Sequence, residues 1–199
     1  MTGQVVVLNG APRSGKSSIV SEIQRTFDGL WMNLGVDVFA RAITPEAYRP
    51  GMGLRPGEQG HRLAPLQPAL YAAFYESIAA HSRAGLHVVA DVGHHERTVL
   101  ADCARRVAEL PAFFIGVRCP IDVIMARRNA DPQGVYETGA VAPPEVTGWQ
   151  DAVHTPGIYD LEVDTSISSA EECAVRIRAA LQSPPQPSAF ERLRQTAHR

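Results

Sequence analysis

The chain has 199 residues, 45% of them hydrophobic, and a formal net charge of −2. That is enough sequence for one compact core, and the near-neutral balance argues against a nucleic-acid or membrane-surface binder, so a small molecule is the expected partner. Cys103, Cys119 and Cys173 are odd in number, widely separated and without C-x-x-C spacing, which predicts buried free thiols and no zinc site.

Val5-Val6-Val7-Leu8 is a short continuous apolar run, the pattern of a strand covered on both faces of a parallel sheet. Directly after it, Gly10-Ala11-Pro12-Arg13-Ser14-Gly15-Lys16-Ser17 fits G-x-x-x-x-G-K-S, and Lys16 is the only lysine of the chain. Ile19, Val20, Ile23 and Phe27 then recur at helical spacing, so strand, glycine loop and helix come in the order a phosphate loop needs. Gly10 and Gly15 permit the tight backbone path. Backbone N–H groups and the positive helix end are expected to cradle phosphates, with Lys16 bridging the terminal ones and the Ser17 hydroxyl on Mg²⁺. Ser18 continues the nucleotide-binding set, and Arg13 reads as an exposed residue or an outer nucleotide contact.

Trp31-Met32-Asn33-Leu34 predicts a second strand, followed by Gly35-Val36-Asp37. Asp37 fits two roles, a base for the proton of an attacking hydroxyl or a cap for a helix beginning at Val38. The Pro- and Gly-rich stretch from Pro45 to Pro68, with Arg49, Arg55, His61 and Arg62, is too irregular for a core element. Leu66 to Ala84 then reads as a helix and Leu86 to Ala90 as a strand. Asp91, at the end of that strand, is expected to hold Mg²⁺ through water, or else to cap a helix. His94-His95-Glu96 lacks the i, i+4 spacing of two metal ligands on one helix face.

Arg97 to Leu110 reads as a helix, Phe113 to Val117 as a strand and Ile121 to Arg128 as another helix. Arg127 and Arg128 lead into a segment rich in Gly and Pro, so a lid over the nucleotide is expected at about 127–148, with at least one of the two arginines for the transferring phosphoryl group and Arg128 as a further nucleotide contact. Arginine near a helix C-terminus also simply complements the helix dipole. Leu161 to Val163 and Ala170 to Leu181 give a last strand and helix. The alternation predicts an α/β fold, a parallel five-stranded sheet between two helix layers, in one domain over residues 1–182. Residues 183–199 read as a Pro-rich linker and a basic tail, disordered or loosely helical. No apolar stretch is long enough to span a bilayer and the chain runs straight into a strand, so a cytoplasmic location is expected.

Over most of its length the sequence resembles the chloramphenicol phosphotransferases. The resemblance rests on Val7-Leu8-Asn9-Gly10 with the phosphate loop, Gly35-Val36-Asp37, Arg83-Ala84-Gly85 before the strand ending in Asp91, and Gly116-Val117-Arg118-Cys119. It continues in Val153-His154 and Tyr159-Asp160-Leu161-Glu162-Val163-Asp164-Thr165. It implies a P-loop nucleotide-kinase-like fold and transfer of the γ-phosphoryl group of ATP, with Mg²⁺, to a hydroxyl of chloramphenicol or a related antibiotic. It also implies Asp37 as general base, Lys16 as phosphate-loop lysine and Arg127 as lid arginine. The chain departs from the family pattern at Asp131, where a basic residue is expected, and at Val92, where a second acid is expected. No Lys or Arg occurs between Arg128 and Arg176. A kinase for another alcohol, and an ATP-binding regulatory module with little chemistry, are the alternative readings. The absence of Asn-Lys-x-Asp argues against a guanine-nucleotide switch.

Overall fold

The computed structural model describes residues 1–43, 64–131, 139 and 141–196. The arginines and His61 expected between Pro45 and Pro68, and residues 132–138 and 140 of the expected lid, lie outside the described residues. Five parallel strands form one sheet in the order β2-β3-β1-β4-β5. They are β1 (Val5–Asn9), β2 (Trp31–Asn33), β3 (His87–Val92), β4 (Ala112–Arg118) and β5 (Leu161–Asp164). β1 lies at the centre, with Val5 in register with Val88 on one side and Ala112 on the other.

The period-2 alternation of strand side chains divides the core. Val5 and Val7 face α3 (Gln67–Arg83), α4 (Arg97–Val107) and α8 (Ala189–Thr196), packing with Phe74, Ile78, Leu100 and Phe190. Val6 and Leu8 face α1 (Lys16–Thr26) and α7 (Ala170–Gln182), packing with Ile19, Ile23 and Ile177. Both layers are apolar, which is why β1 carries no alternation in its sequence. Cys103, Cys119 and Cys173 are buried and free.

The elements differ from the expected ones in three places. α2 spans Val36–Ile43, so Asp37 sits in its first turn and is not the cap of a helix starting at Val38. A helix, α6 (Pro144–Ala152), follows α5 (Ile121–Ala130) within the expected lid, started by Pro in its first turn. The tail, expected to be disordered or loosely helical, contains the packed helix α8, whose Ala189, Phe190 and Leu193 are buried against α4 and β4. The Asp160 carboxylate accepts from the N–H groups of Phe114 and Ala189 at 2.8 and 2.6 Å, which pins the start of α8 to β4. No helix among the described residues is long and apolar enough to cross a membrane.

Candidate active site

The carboxyl end of β1 runs into the phosphate loop between β3 and β4. A Cβ at Gly10 would lie 2.6 Å from the Val117 carbonyl oxygen and 2.8 Å from Ser14 Oγ, so the close approach of loop to β4 requires glycine there. Gly15 caps α1 at φ +91°, in the left-handed region. Lys16 Nζ donates to the carbonyls of Gly10 and Ala11, each at 2.8 Å, which lays the ammonium across the inside of the loop. The Ser17 hydroxyl donates to Asp91 Oδ2 at 3.0 Å, joining the two expected Mg²⁺ residues across β1 and β3.

Gly35 packs against the same carboxylate: a Cβ there would overlap Asp91 Oδ1. The turn from β2 to α2 therefore sits on Asp91, and Asp37, exposed in the first turn of α2, follows two residues after Gly35. Serine hydroxyl and carboxylate are hard oxygen ligands, the set that suits Mg²⁺ with water completing its shell.

A cavity of about 510 Å³ opens beside the loop, lined by Arg13, Gly15, Lys16, Ser17 and Ser18 together with Arg127, Thr165 and the start of α7. Arg127 Nη1 donates to Thr165 Oγ1 at 3.0 Å and to the Arg13 carbonyl at 3.2 Å, and Nη2 donates to the Thr165 carbonyl at 2.6 Å. Thr165 Oγ1 donates in turn to the Ser14 carbonyl at 2.7 Å. Of the two arginines at the end of α5, Arg127 borders the cavity. Arg128, expected as a second nucleotide contact, is 5% exposed and does not line it.

Sequence reasoning missed Asn9, the residue before Gly10. Its Nδ2 donates to the Val153 carbonyl and the Tyr159 hydroxyl, both at 2.8 Å, and its Oδ1 accepts from the His94 N–H at 2.8 Å. Tyr159 OH meets His154 Nδ1 at 2.9 Å, and His94 Nε2 meets Tyr75 OH at 2.8 Å. Burial, with the charge of neighbouring His95, lowers the His94 pKa to about 3. Burial, with Arg118 next, lowers that of His154 to about 4. Burial raises Tyr159 to about 12. The network is therefore neutral at pH 7 and acts as a set of fixed dipoles around the base of the loop. The signal for it in the sequence is a single polar residue closing the run Val5 to Leu8.

Fold and phosphate loop together define a P-loop kinase-type phosphotransferase. The family model for chloramphenicol phosphotransferase-like proteins matches residues 3–182, and the chain belongs to that family. Two Mycobacterium tuberculosis proteins, from strains CDC 1551 and H37Rv and each named provisionally as an O-phosphotransferase, are 29% identical over 207 residues. The alignment covers 96% of this chain and 88% of theirs. Among solved structures, the M. tuberculosis APS kinase in complex with AMPPNP and APS shares the fold at TM-score 0.65 and 17% identity, over 92% of this chain and 99% of that one. A sugar kinase from Janibacter sp. does so at TM-score 0.63 and 17% identity, over 90% and 95%. The shikimate kinase of Acinetobacter baumannii follows at TM-score 0.61 and 10% identity, over 92% and 94%.

Proposed function

We propose that the protein transfers the γ-phosphoryl group of ATP, with Mg²⁺, to a hydroxyl of a small molecule in the cytoplasm, and that chloramphenicol or a related antibiotic is the acceptor, inactivated by the transfer. The observation that carries this reading is the 3.0 Å contact between Ser17 and Asp91, made beside Lys16 and under the turn that leads to Asp37. Four side chains suited to phosphoryl transfer thus come from three neighbouring strand ends.

The loop N–H groups and the start of α1 bind the phosphates, and the Lys16 ammonium leaves its carbonyl partners to neutralise the terminal ones. Ser17 and Asp91 would hold Mg²⁺, whose chemistry when bound is to neutralise charge on the β- and γ-phosphates. Asp37 accepts the proton of the acceptor hydroxyl as its oxygen bonds to the γ-phosphorus and the bond to the ADP oxygen breaks. The Arg127 guanidinium adds positive charge to the cavity wall and holds the phosphate loop to Thr165.

The test is ADP release from Mg·ATP with chloramphenicol and a panel of hydroxylated antibiotics and sugars. Release that depends on chloramphenicol and is lost in Lys16→Ala and Asp37→Ala is the expected result. Release with another acceptor keeps the mechanism and changes the substrate. Nucleotide binding without release for any acceptor overturns the kinase reading of this chain.

A further inference from the structure

Phosphoryl transfer needs a cation at the transferring group, and the segment after α5 contains none: residues 129–175 include no Lys or Arg. Among the described residues, the cations on the cavity wall are Arg13, Lys16 and Arg127. Lys16 belongs to the loop itself. Arg127 has both terminal nitrogens committed to Thr165 and to the Arg13 carbonyl, a role that knits the loop to the turn after β5.

Arg13 differs from Arg127 in what it holds. Its Nη1 pairs with Asp131 Oδ2 at 3.0 Å and its Nη2 donates to the Asp131 carbonyl at 2.5 Å. The two side chains are 24% and 56% exposed, so this pair is screened by water and easily exchanged. The backbone of Arg13 lies at φ +68°, the only positive value at a non-glycine residue among those described. Such a conformation is unfavourable for a side chain as long as arginine, and residues held in it cluster at ligand-binding sites. Asp131 follows directly on α5. The Asn129 side chain donates to the Gly139 carbonyl at 3.0 Å and accepts from the Gly139 N–H at 3.1 Å.

The geometry points to Arg13 as the guanidinium that contacts the terminal phosphoryl group of the bound nucleotide, with Asp131 as the carboxylate that holds it until nucleotide arrives. The proposal rests on the reading of this cavity as an ATP site. A planar guanidinium suits phosphate oxygens, and a triphosphate outcompetes one exposed carboxylate for it. The cation that the missing basic residues after α5 do not supply comes from the phosphate loop.

Binding of Mg·ADP and Mg·AMPPNP to the full chain, measured by calorimetry, tests it. In Arg13→Gly the guanidinium is lost while the backbone at φ +68° gains a residue that adopts it freely, so the variant folds and its thermal transition does not fall. AMPPNP binding is expected to weaken about ten- to hundredfold, and ADP binding to stay within about threefold. Asp131→Asn is expected to tighten AMPPNP several-fold and leave ADP unchanged. Equal weakening of both ligands in Arg13→Gly, or no change in either, overturns the assignment of Arg13. No effect of Asp131→Asn on AMPPNP overturns the holding role of Asp131. If the unsubstituted protein binds neither nucleotide, the ATP-site reading itself falls, a result distinct from the loss of Arg13 alone.

Discussion

Gly35 and Asp91 are in contact across two parallel strands, close enough that a methyl group at Gly35 would occupy the position of Asp91 Oδ1. The other oxygen of that carboxylate accepts from Ser17 at 3.0 Å, so one small residue lets the β2–α2 turn and the phosphate loop share a single acid. Glycine is needed here for space, since its φ is not in the left-handed region.

Gly35→Ala therefore rotates Asp91 away from Ser17 without unfolding the sheet. The Mg²⁺ concentration for half-maximal ATP turnover should rise about tenfold or more, the size of effect that loss of an orienting neighbour has on a metal site. Circular dichroism should show the helix content retained. An unchanged Mg²⁺ requirement removes Asp91 from the metal site.

Asn9→Leu is a nearly isosteric change that leaves the His94 N–H, the Val153 carbonyl and the Tyr159 hydroxyl without their Asn9 partner. Asn9 is 1% exposed, so water cannot replace it. Unfolding in urea should report a loss of about 2 to 4 kcal/mol, from one to two uncompensated buried polar groups. A change below about 0.5 kcal/mol, the usual range for a surface position, contradicts the network's role in holding the loop.

The difference between Asn9 and Lys16 shows which parts of the site the sequence carries. The phosphate loop is legible because its strand, glycines, lysine and helix are contiguous. Asp91 and Gly35 are legible as strand ends, since a parallel sheet gathers its carboxyl ends at one edge. Asn9 meets Val153 and Tyr159 across 144 and 150 residues, and no local pattern encodes that pairing. Arg127 and Arg128 are adjacent, and only the packing of α5 decides that the first faces the cavity while the second is buried. For α8, set after Pro184, Pro185 and Pro187, a loose helix is legible, whereas its packing into the core rests on only Ala189, Phe190 and Leu193 and is not.

Phe190 is fully buried and its ring centroid lies 5.0 Å from that of Phe114 on β4. Phe190→Ala should cost about 3 to 5 kcal/mol in denaturant unfolding, the range for removing a buried aromatic ring. A chain ending at residue 182 should lose at least as much, because Phe114 would then lose the ring that covers it along with the rest of α8. If the shortened chain unfolds at the same urea concentration, α8 is an appendage and not part of the core.

Acid should weaken the fold through the buried His94 and the half-buried His154. His94 and His154 are held near pKa values of about 3 and about 4, against an ordinary value of 6.5. Between those values and 6.5 the unfolded chain binds protons that the folded chain does not, so stability is full above 6.5 and falls as the pH drops. His94 contributes a slope of about 1.4 kcal/mol per pH unit across its window, and the half-buried His154 contributes less. Asp160 acts in the opposite sense, because burial raises its carboxyl and the folded state then binds the extra proton just above the ordinary carboxylate range. His94→Gln removes one titrating group while keeping a polar side chain beside Tyr75. Urea unfolding at a series of pH values from 4 to 7 should then show a shallower fall for this variant than for the parent, and parallel curves would mean that His94 is protonated in the folded protein.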